Sequence, residues 1–98
     1  MTRPQDVNPR NFKVNCVIYD DGQFSIAWGT WEDDTRRLAM RWNGNNGDPG
    51  YPKLFKHPVW FVLPPNPELS QRIAQSLLGS TGGAAAEILT VLKELFPE

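Results

Sequence analysis

Hydrophobic and polar residues alternate in three successive stretches of the first half of the chain. These stretches are "FKVNCVIYD" (12–20), "QFSIAWGTW" (23–31) and "RRLAMRWN" (36–43). A period of two is typical of a strand with one buried face. Asp, Gly and Thr in the intervening "DDG" and "EDDT" favour tight turns. The pattern therefore predicts three antiparallel strands joined by short turns.

The period changes in the last third of the chain. "VWFVL" (59–63) is a short apolar run between two prolines and is predicted to be a fourth strand. In "NPELSQRIAQSLL" (66–78), Asn66 is placed to cap a helix that has Pro67 at its first position. "AAAEILTVLKELF" (84–96) follows after a glycine-rich break and predicts a second helix.

Strands that precede helices indicate an α+β fold, not an alternating α/β fold. We predict a flexible N-terminal tail over residues 1–11 and a single α+β domain over residues 12–98. The domain has a four-stranded antiparallel sheet, in the order β-β-β-loop-β, followed by two C-terminal helices packed on one face. The face predicted to meet the helices carries Phe24, Ile26, Trp28, Leu38, Met40 and Trp42. The first strand is expected to bury Phe12, Val14, Cys16 and Ile18 together.

The second helix is apolar over more than one face. Its wide apolar face consists of Ile88, Leu89, Leu92, Leu95 and Phe96, and Val91 lies off that stripe. A helix that is apolar on several sides is usually buried on more than one of them. Val91 is therefore a candidate contact between copies of the chain.

Composition excludes several functions. The chain has 98 residues, of which 40% are hydrophobic, and its net charge is -1, so there is no global basic field to attract nucleic acid. Cys16 and His57 are its sole cysteine and histidine, too few for a structural zinc site or a recognisable nucleophilic triad. We expect no enzymatic activity, no cofactor and no metal. Without a signal peptide or membrane segment in the sequence, we expect a cytoplasmic protein with no membrane contact.

The second face of the predicted sheet combines small residues with cations and aromatic rings. Its candidate binding residues are Lys13, Tyr19, Trp31, Arg37 and Arg41. Cations that follow phosphates and rings that stack on bases are typical of single-stranded nucleic-acid binders. A solvated face is the simpler interpretation. A third is a protein contact, because Ala27, Gly29 and Ala39 would allow close approach.

The segment "GNNGDPGYPKLFKHP" (44–58) is long for a connection inside a compact domain. Such loops are usually functional or disordered. We expect Tyr51 and Phe55 to bury their rings against the core; if they are exposed, the segment is better interpreted as a binding loop. A small-molecule pocket under it would draw on Trp42, Tyr51, Lys53, Phe55, His57 and Trp60.

Three stretches, "NCVIYDDGQFSIAWG", "RLAMRWNG" and "GYPKLFKHPVWFVLP", resemble those of short proteins encoded by bacterial mobile integron gene cassettes. The resemblance covers roughly residues 12–64 and includes no catalytic motif. It implies a small soluble bacterial protein, often oligomeric and without an assigned activity. The order of four strands and then a helix is also similar to the plan of single-stranded-DNA-binding transcriptional coactivators and Whirly proteins. That similarity is one of architecture, and fold does not fix function.

These observations favour a non-enzymatic binding module that acts through protein–protein contacts, as a homodimer. Two alternatives stay open at this point. One is weak, sequence-tolerant binding of single-stranded nucleic acid by the second sheet face. The other is a small-molecule pocket under residues 44–58.

Overall fold

The structure is a computed structural model that describes residues 3–45 and 47–96. The longer strands are β1 (Phe12–Asp20), β2 (Phe24–Trp31) and β3 (Arg36–Trp42), and the shorter ones are β4 (Lys53–Leu54), β5 (His57–Pro58) and β6 (Phe61–Val62). Two helices follow, α1 (Pro67–Ser76) and α2 (Ala85–Leu95). A short 3-10 helix, Pro4–Asp6, precedes β1. Residues 1, 2 and 46, parts of the predicted tail and loop, lie outside the described residues.

The predicted α+β fold is confirmed. The main sheet has the order β1-β2-β3-β6 with antiparallel neighbours, and both helices come later in the chain. β4 and β5 form a separate two-stranded hairpin that the sequence pattern did not indicate. The fourth strand of the main sheet is shorter than predicted, because two residues, Phe61 and Val62, pair with β3.

The helices pack on one face of the sheet and enclose the main core. Asn66 caps α1, since its side chain accepts a hydrogen bond from the Leu69 amide at 3.1 Å. The buried members of this core are Ile18, Ile26, Trp28, Leu38, Ala74, Ile88 and Val91. Glu94 of α2 accepts hydrogen bonds from the Trp28 indole and from Arg36, which ties the last helix to the sheet. The helices cover the Trp28 end of the face and leave Trp42 at the other end exposed.

Two irregularities in β1 correct the prediction that its apolar residues share one face. The pairing with β2 shifts between Val14 and Cys16 and again between Val17 and Tyr19. An extra residue in a strand moves the following side chains to the opposite face. Phe12 and Val14 consequently belong to the cluster on the second face, whereas Ile18 lies in the helix-side core.

The second face of the sheet is covered by the chain itself, not open as expected. Val7, Phe12, Ala27, Ala39 and Trp60 form a second buried cluster there. The Trp60 indole donates a 2.7 Å hydrogen bond to the carbonyl of Val7, a residue that is 2% exposed. The predicted flexible tail is therefore corrected for residues 3–11, which contribute Val7 to a core.

Close packing on the second face depends on the small residue at position 29. A β-carbon built on Gly29 would lie 2.5 Å from the Phe12 ring and 2.3 Å from the Lys13 carbonyl oxygen. The ring of Phe12 therefore fills the space that a side chain would occupy. The small residues do permit a close approach, as the sequence indicated, but the approaching groups come from the same chain.

Val91 is 0% exposed and lies inside the helix-side core. The prediction that it contacts another copy of the chain is wrong, because α2 is rotated so that Ile88 and Val91 point inward together. Leu89 takes the outward position and is half exposed.

Cys16 is expected to react slowly with thiol reagents in the folded protein. Burial raises the pKa of this thiol, and the nearby carboxylate of Glu87 raises it further. A raised pKa lowers the fraction of reactive thiolate at neutral pH. Labelling with 5,5′-dithiobis(2-nitrobenzoate) at pH 7.5 should be slower than in denaturant, because burial limits access to the sulfur and the raised pKa lowers the thiolate fraction. Equal rates in the two conditions would contradict this placement.

Among the described helices, none has the length and apolar character needed to cross a bilayer. The expected cytoplasmic location stays a prediction.

Candidate functional site

Arg41 of β3 anchors the long segment that follows the strand. Its guanidinium donates hydrogen bonds to the backbone carbonyls of Pro49, Pro52 and Val59. The three carbonyls are spread over the segment, so one side chain fixes its course at three points. The guanidinium carbon of Arg41 also lies 5.9 Å from the centroid of the Trp60 ring, within the range of a cation–π interaction.

The charge of Arg41 is buried without a carboxylate partner among the described residues. The residue is 1% exposed, and its Nε finds no acceptor within residues 3–45 and 47–96. Burial lowers the pKa of the guanidinium from its ordinary value. Carbonyl dipoles and an aromatic face replace the water that this cation would otherwise bind.

An aromatic recess lies where the anchored segment meets the end of the sheet. Phe24 and Trp42 are direct cross-strand partners, and Trp42 in turn bridges to Tyr51. Direct partners in an antiparallel pair point to the same face, so the three rings form a row. Met40 and Phe61 are paired in the next row. The recess has a volume of about 390 Å³ and is lined by Phe24, Met40, Arg41, Trp42, Tyr51, Pro52, Trp60 and Phe61.

The segment after the recess forms an exposed hairpin tip, which we define as Leu54 and Phe55. Tyr51 is 66% exposed and Phe55 is 92% exposed. The prediction that these two rings bury against the core is wrong. The physical reason is that Arg41 and Trp60 already anchor the segment, so its stability does not require those rings. The interpretation of residues 44–58 as a binding loop is thereby favoured.

The structure divides the six candidate pocket residues into two groups. Trp42, Tyr51 and Trp60 line the recess, as the sequence suggested. Lys53, Phe55 and His57 belong to the hairpin and do not line it. Phe24 and Met40 pack against the helix-side core, as predicted, and they also line the recess, which was not predicted. Phe61 lay in a continuous apolar run that concealed its outward orientation.

The five candidate residues of the second sheet face do not share one surface. Tyr19 packs against the helix-side core, and Lys13 pairs with Thr30 on that side. Arg41 is buried. Of the five, Trp31 and Arg37 remain together, with the guanidinium carbon 5.5 Å from the ring centroid. The grouping is therefore corrected, because the irregularities in β1 reverse its faces.

Arg37 also contacts two residues of the turn that precedes β3. It forms a 2.9 Å ion pair with Asp33 and donates to the Thr35 hydroxyl. Hydrogen bonds from the Thr35 hydroxyl and amide hold the pKa of Asp33 below its usual value. A phosphate group would have to compete with this closed set of contacts, so the geometry gives nucleic-acid binding little support.

Within residues 3–45 and 47–96, no three His, Cys, Asp or Glu side chains are arranged to hold a metal ion. His57 lies exposed in β5, beside a groove that it shares with Asp6 and Arg10. The expectation that the protein is not an enzyme stays a prediction.

The recess and the hairpin tip are thus the two features to which a function can be assigned. The resemblance to integron-cassette proteins stays a prediction. No protein-family model, curated protein or solved structure matches this chain.

Proposed function

We propose that this protein is a non-enzymatic interaction module that binds a second copy of itself. The observation that carries the proposal is the exposure of five large apolar side chains within residues 42–61, each of which is more than half exposed. This apolar surface consists of Trp42, Tyr51, Leu54, Phe55 and Phe61. Trp42, Tyr51 and Phe61 line the recess, whereas Leu54 and Phe55 border a separate groove. Large exposed apolar side chains on soluble domains commonly mark interaction sites.

The size of the apolar surface is compatible with a specific interface. With roughly 150–250 Å² for each aromatic side chain, the five residues expose on the order of 600–700 Å². A standard interface buries about 800 Å² on each partner, including its polar rim. The exposed area of the five residues, taken together, therefore approaches the area that one partner of a stable pair buries.

The charge distribution of the residues that line the recess is also compatible with self-association. Arg41 is the charged residue among those that line the recess, and it is buried beneath the surface. Two copies could bring their recesses together without placing like charges in direct contact. On the sheet face predicted to bind nucleic acid, by contrast, the two arginines Arg37 and Arg41 are both engaged within the chain.

The proposal predicts that Trp42→Ala disrupts self-association without unfolding the protein. Trp42 is 54% exposed and contributes a ring to the centre of the apolar surface. Sedimentation equilibrium across micromolar to millimolar concentrations should give a dimer for the wild type and at least a tenfold weaker dimer for the variant.

Leu89→Ser is the matched control, since Leu89 is a half-exposed apolar residue on α2, outside the apolar surface. It should leave the dimer intact. A wild type that is monomeric over the whole range, or equal weakening by both variants, would count against the proposal.

A small-molecule site is the second candidate, and the volume of the recess favours it. About 390 Å³ falls within the range of roughly 300–1,000 Å³ that is usual for ligand pockets, and the lining is mostly aromatic. Indole and benzoate are suitable probes, titrated while the indole N–H resonance of Trp42 is followed by NMR. Saturable shifts of that resonance would support this candidate, and unchanged spectra at millimolar probe would remove it.

A further inference from the structure

Phe55 lies at the turn of the β4–β5 hairpin in a backbone conformation that is unfavourable for phenylalanine. Leu54 pairs with His57, which leaves Phe55 and Lys56 as the two central residues. Phe55 has φ 58, in the left-handed region. Two-residue hairpin turns strongly favour glycine, asparagine or aspartate there, because a β-carbon crowds the neighbouring backbone in this region.

The exposure of Phe55 adds to this conformational cost. At 92% its ring gains almost nothing from burial in its own chain. Backbone strain at an exposed position indicates a functional constraint more often than a folding requirement. A phenylalanine that is both strained and exposed is best explained by a contact outside the chain.

We propose that Phe55 of one copy inserts into the aromatic recess of a second copy. This inference rests on the proposed self-association and names the residue that anchors it. The recess offers a ring-lined space of about 390 Å³, and Phe55 does not line the recess of its own chain. Aromatic side chains that fill partner pockets are the usual anchors of protein interfaces.

The chain places the inserting residue and the receiving recess next to each other. Pro52 lines the recess, and Phe55 is three residues further on, a span of at most about 10 Å. A projection beside a cavity suits a two-fold pair, in which each copy inserts one ring and receives one.

Further charged residues lie near the two features, in addition to the buried cation Arg41 that lines the recess. Lys53 and Lys56 flank the hairpin tip, and neither forms an ion pair with a described acidic residue. Asp21 does not line the recess, but its carboxylate accepts hydrogen bonds from the amides of Gln23 and Phe24, and Phe24 is a lining residue. Insertion of the tip would bring these lysines toward that carboxylate, so added salt should weaken the pair.

Photo-cross-linking tests the contact directly. Phe55 is replaced by p-benzoylphenylalanine, and the protein is mixed with ¹⁵N-labelled chain before irradiation. The expected result is a covalent dimer. Mass spectrometry of its digest should show position 55 of the unlabelled chain linked to ¹⁵N-labelled peptides that contain Met40, Trp42 or Phe61. Cross-links confined to one chain, or to peptides distant from the recess, would overturn the inference.

Substitutions at Phe55 give an independent test. Phe55→Gly should raise the dimer dissociation constant at least about a hundredfold, since the two-fold pair loses two buried rings. At concentrations where both proteins are monomeric, its thermal midpoint should stay equal or rise, because glycine relieves the left-handed strain. Phe55→Tyr keeps the ring and should preserve the dimer.

The two proposals fail in different ways in these experiments. A wild-type dimer that Phe55→Gly leaves unchanged would refute the role of Phe55 and leave self-association standing. A wild type that stays monomeric at all concentrations would refute both.

Discussion

Trp60→Ala is expected to lower the free energy of unfolding by about 3–5 kcal/mol, the range for removing a large aromatic side chain from a core. Trp60 is 6% exposed, and its ring centroid lies 6.0 Å from that of Phe12. Its indole also holds the Val7 carbonyl, and its ring lies against Arg41. The variant would therefore leave a cavity and release the N-terminal segment from the second face.

Trp42→Ala is the matched control, because the same side chain is removed from an exposed site at the opposite end of the long segment. We expect a loss of about 1 kcal/mol or less, from its edge-on contact with Phe24. Urea titrations of both variants, followed by far-ultraviolet circular dichroism, give the comparison. Similar losses for the two would contradict the assignment of Trp60 to a core and Trp42 to a surface.

The sequence was informative where local patterns determine the outcome. Alternation located β1, β2 and β3, and the turn residues between them set an antiparallel order. Asn66 and Pro67 marked the start of α1, because capping uses atoms that are close in sequence. The α+β architecture followed from these elements.

Which side of the sheet each side chain of β1 points to was less predictable, since it depends on irregularities in the backbone pairing. The two shifts in the β1–β2 pairing reverse the side-chain alternation, and nothing in "FKVNCVIYD" distinguishes an extra residue from a regular one. Lys13 and Tyr19 were consequently assigned to the wrong surface. Helix rotation placed Val91 inward for a similar reason, because an all-round apolar sequence does not define which side is buried.

The long segment was misjudged for a different physical reason. Apolar residues are common on protein surfaces, so a tyrosine or phenylalanine in a loop is weak evidence of burial. The group that anchors the segment is an arginine, Arg41, which alternation had placed on a polar face. Its three carbonyl acceptors are 8, 11 and 18 residues away, and no local pattern links them.

Arg41→Met is expected to destabilise the protein by about 2–4 kcal/mol and to loosen residues 49–59. The carbonyls of Pro49 and Val59 would lose their donor, whereas that of Pro52 still accepts from the Val59 amide. Each unsatisfied buried acceptor costs roughly 1–3 kcal/mol. Relief of the desolvated charge offsets part of this loss. Hydrogen exchange should locate the effect at the amides of Tyr51 and Val59, which bond to Trp42 and Pro52 within the anchored region.

Arg72→Met provides the control for arginine loss, because Arg72 is 73% exposed and pairs with Glu68 on the surface of α1. Its removal should cost less than about 0.5 kcal/mol. The loss of stability for Arg41→Lys should fall between those of the other two variants, since an ammonium keeps the charge and lacks the planar fork that reaches several carbonyls at once.

If Arg41→Met kept full amide protection at Tyr51 and Val59, another interaction would have to hold the segment. If protection fell and the dimer persisted, the recess would not be part of the interface. Loss of protection and of the dimer together would connect one buried guanidinium to the surface through which two copies meet.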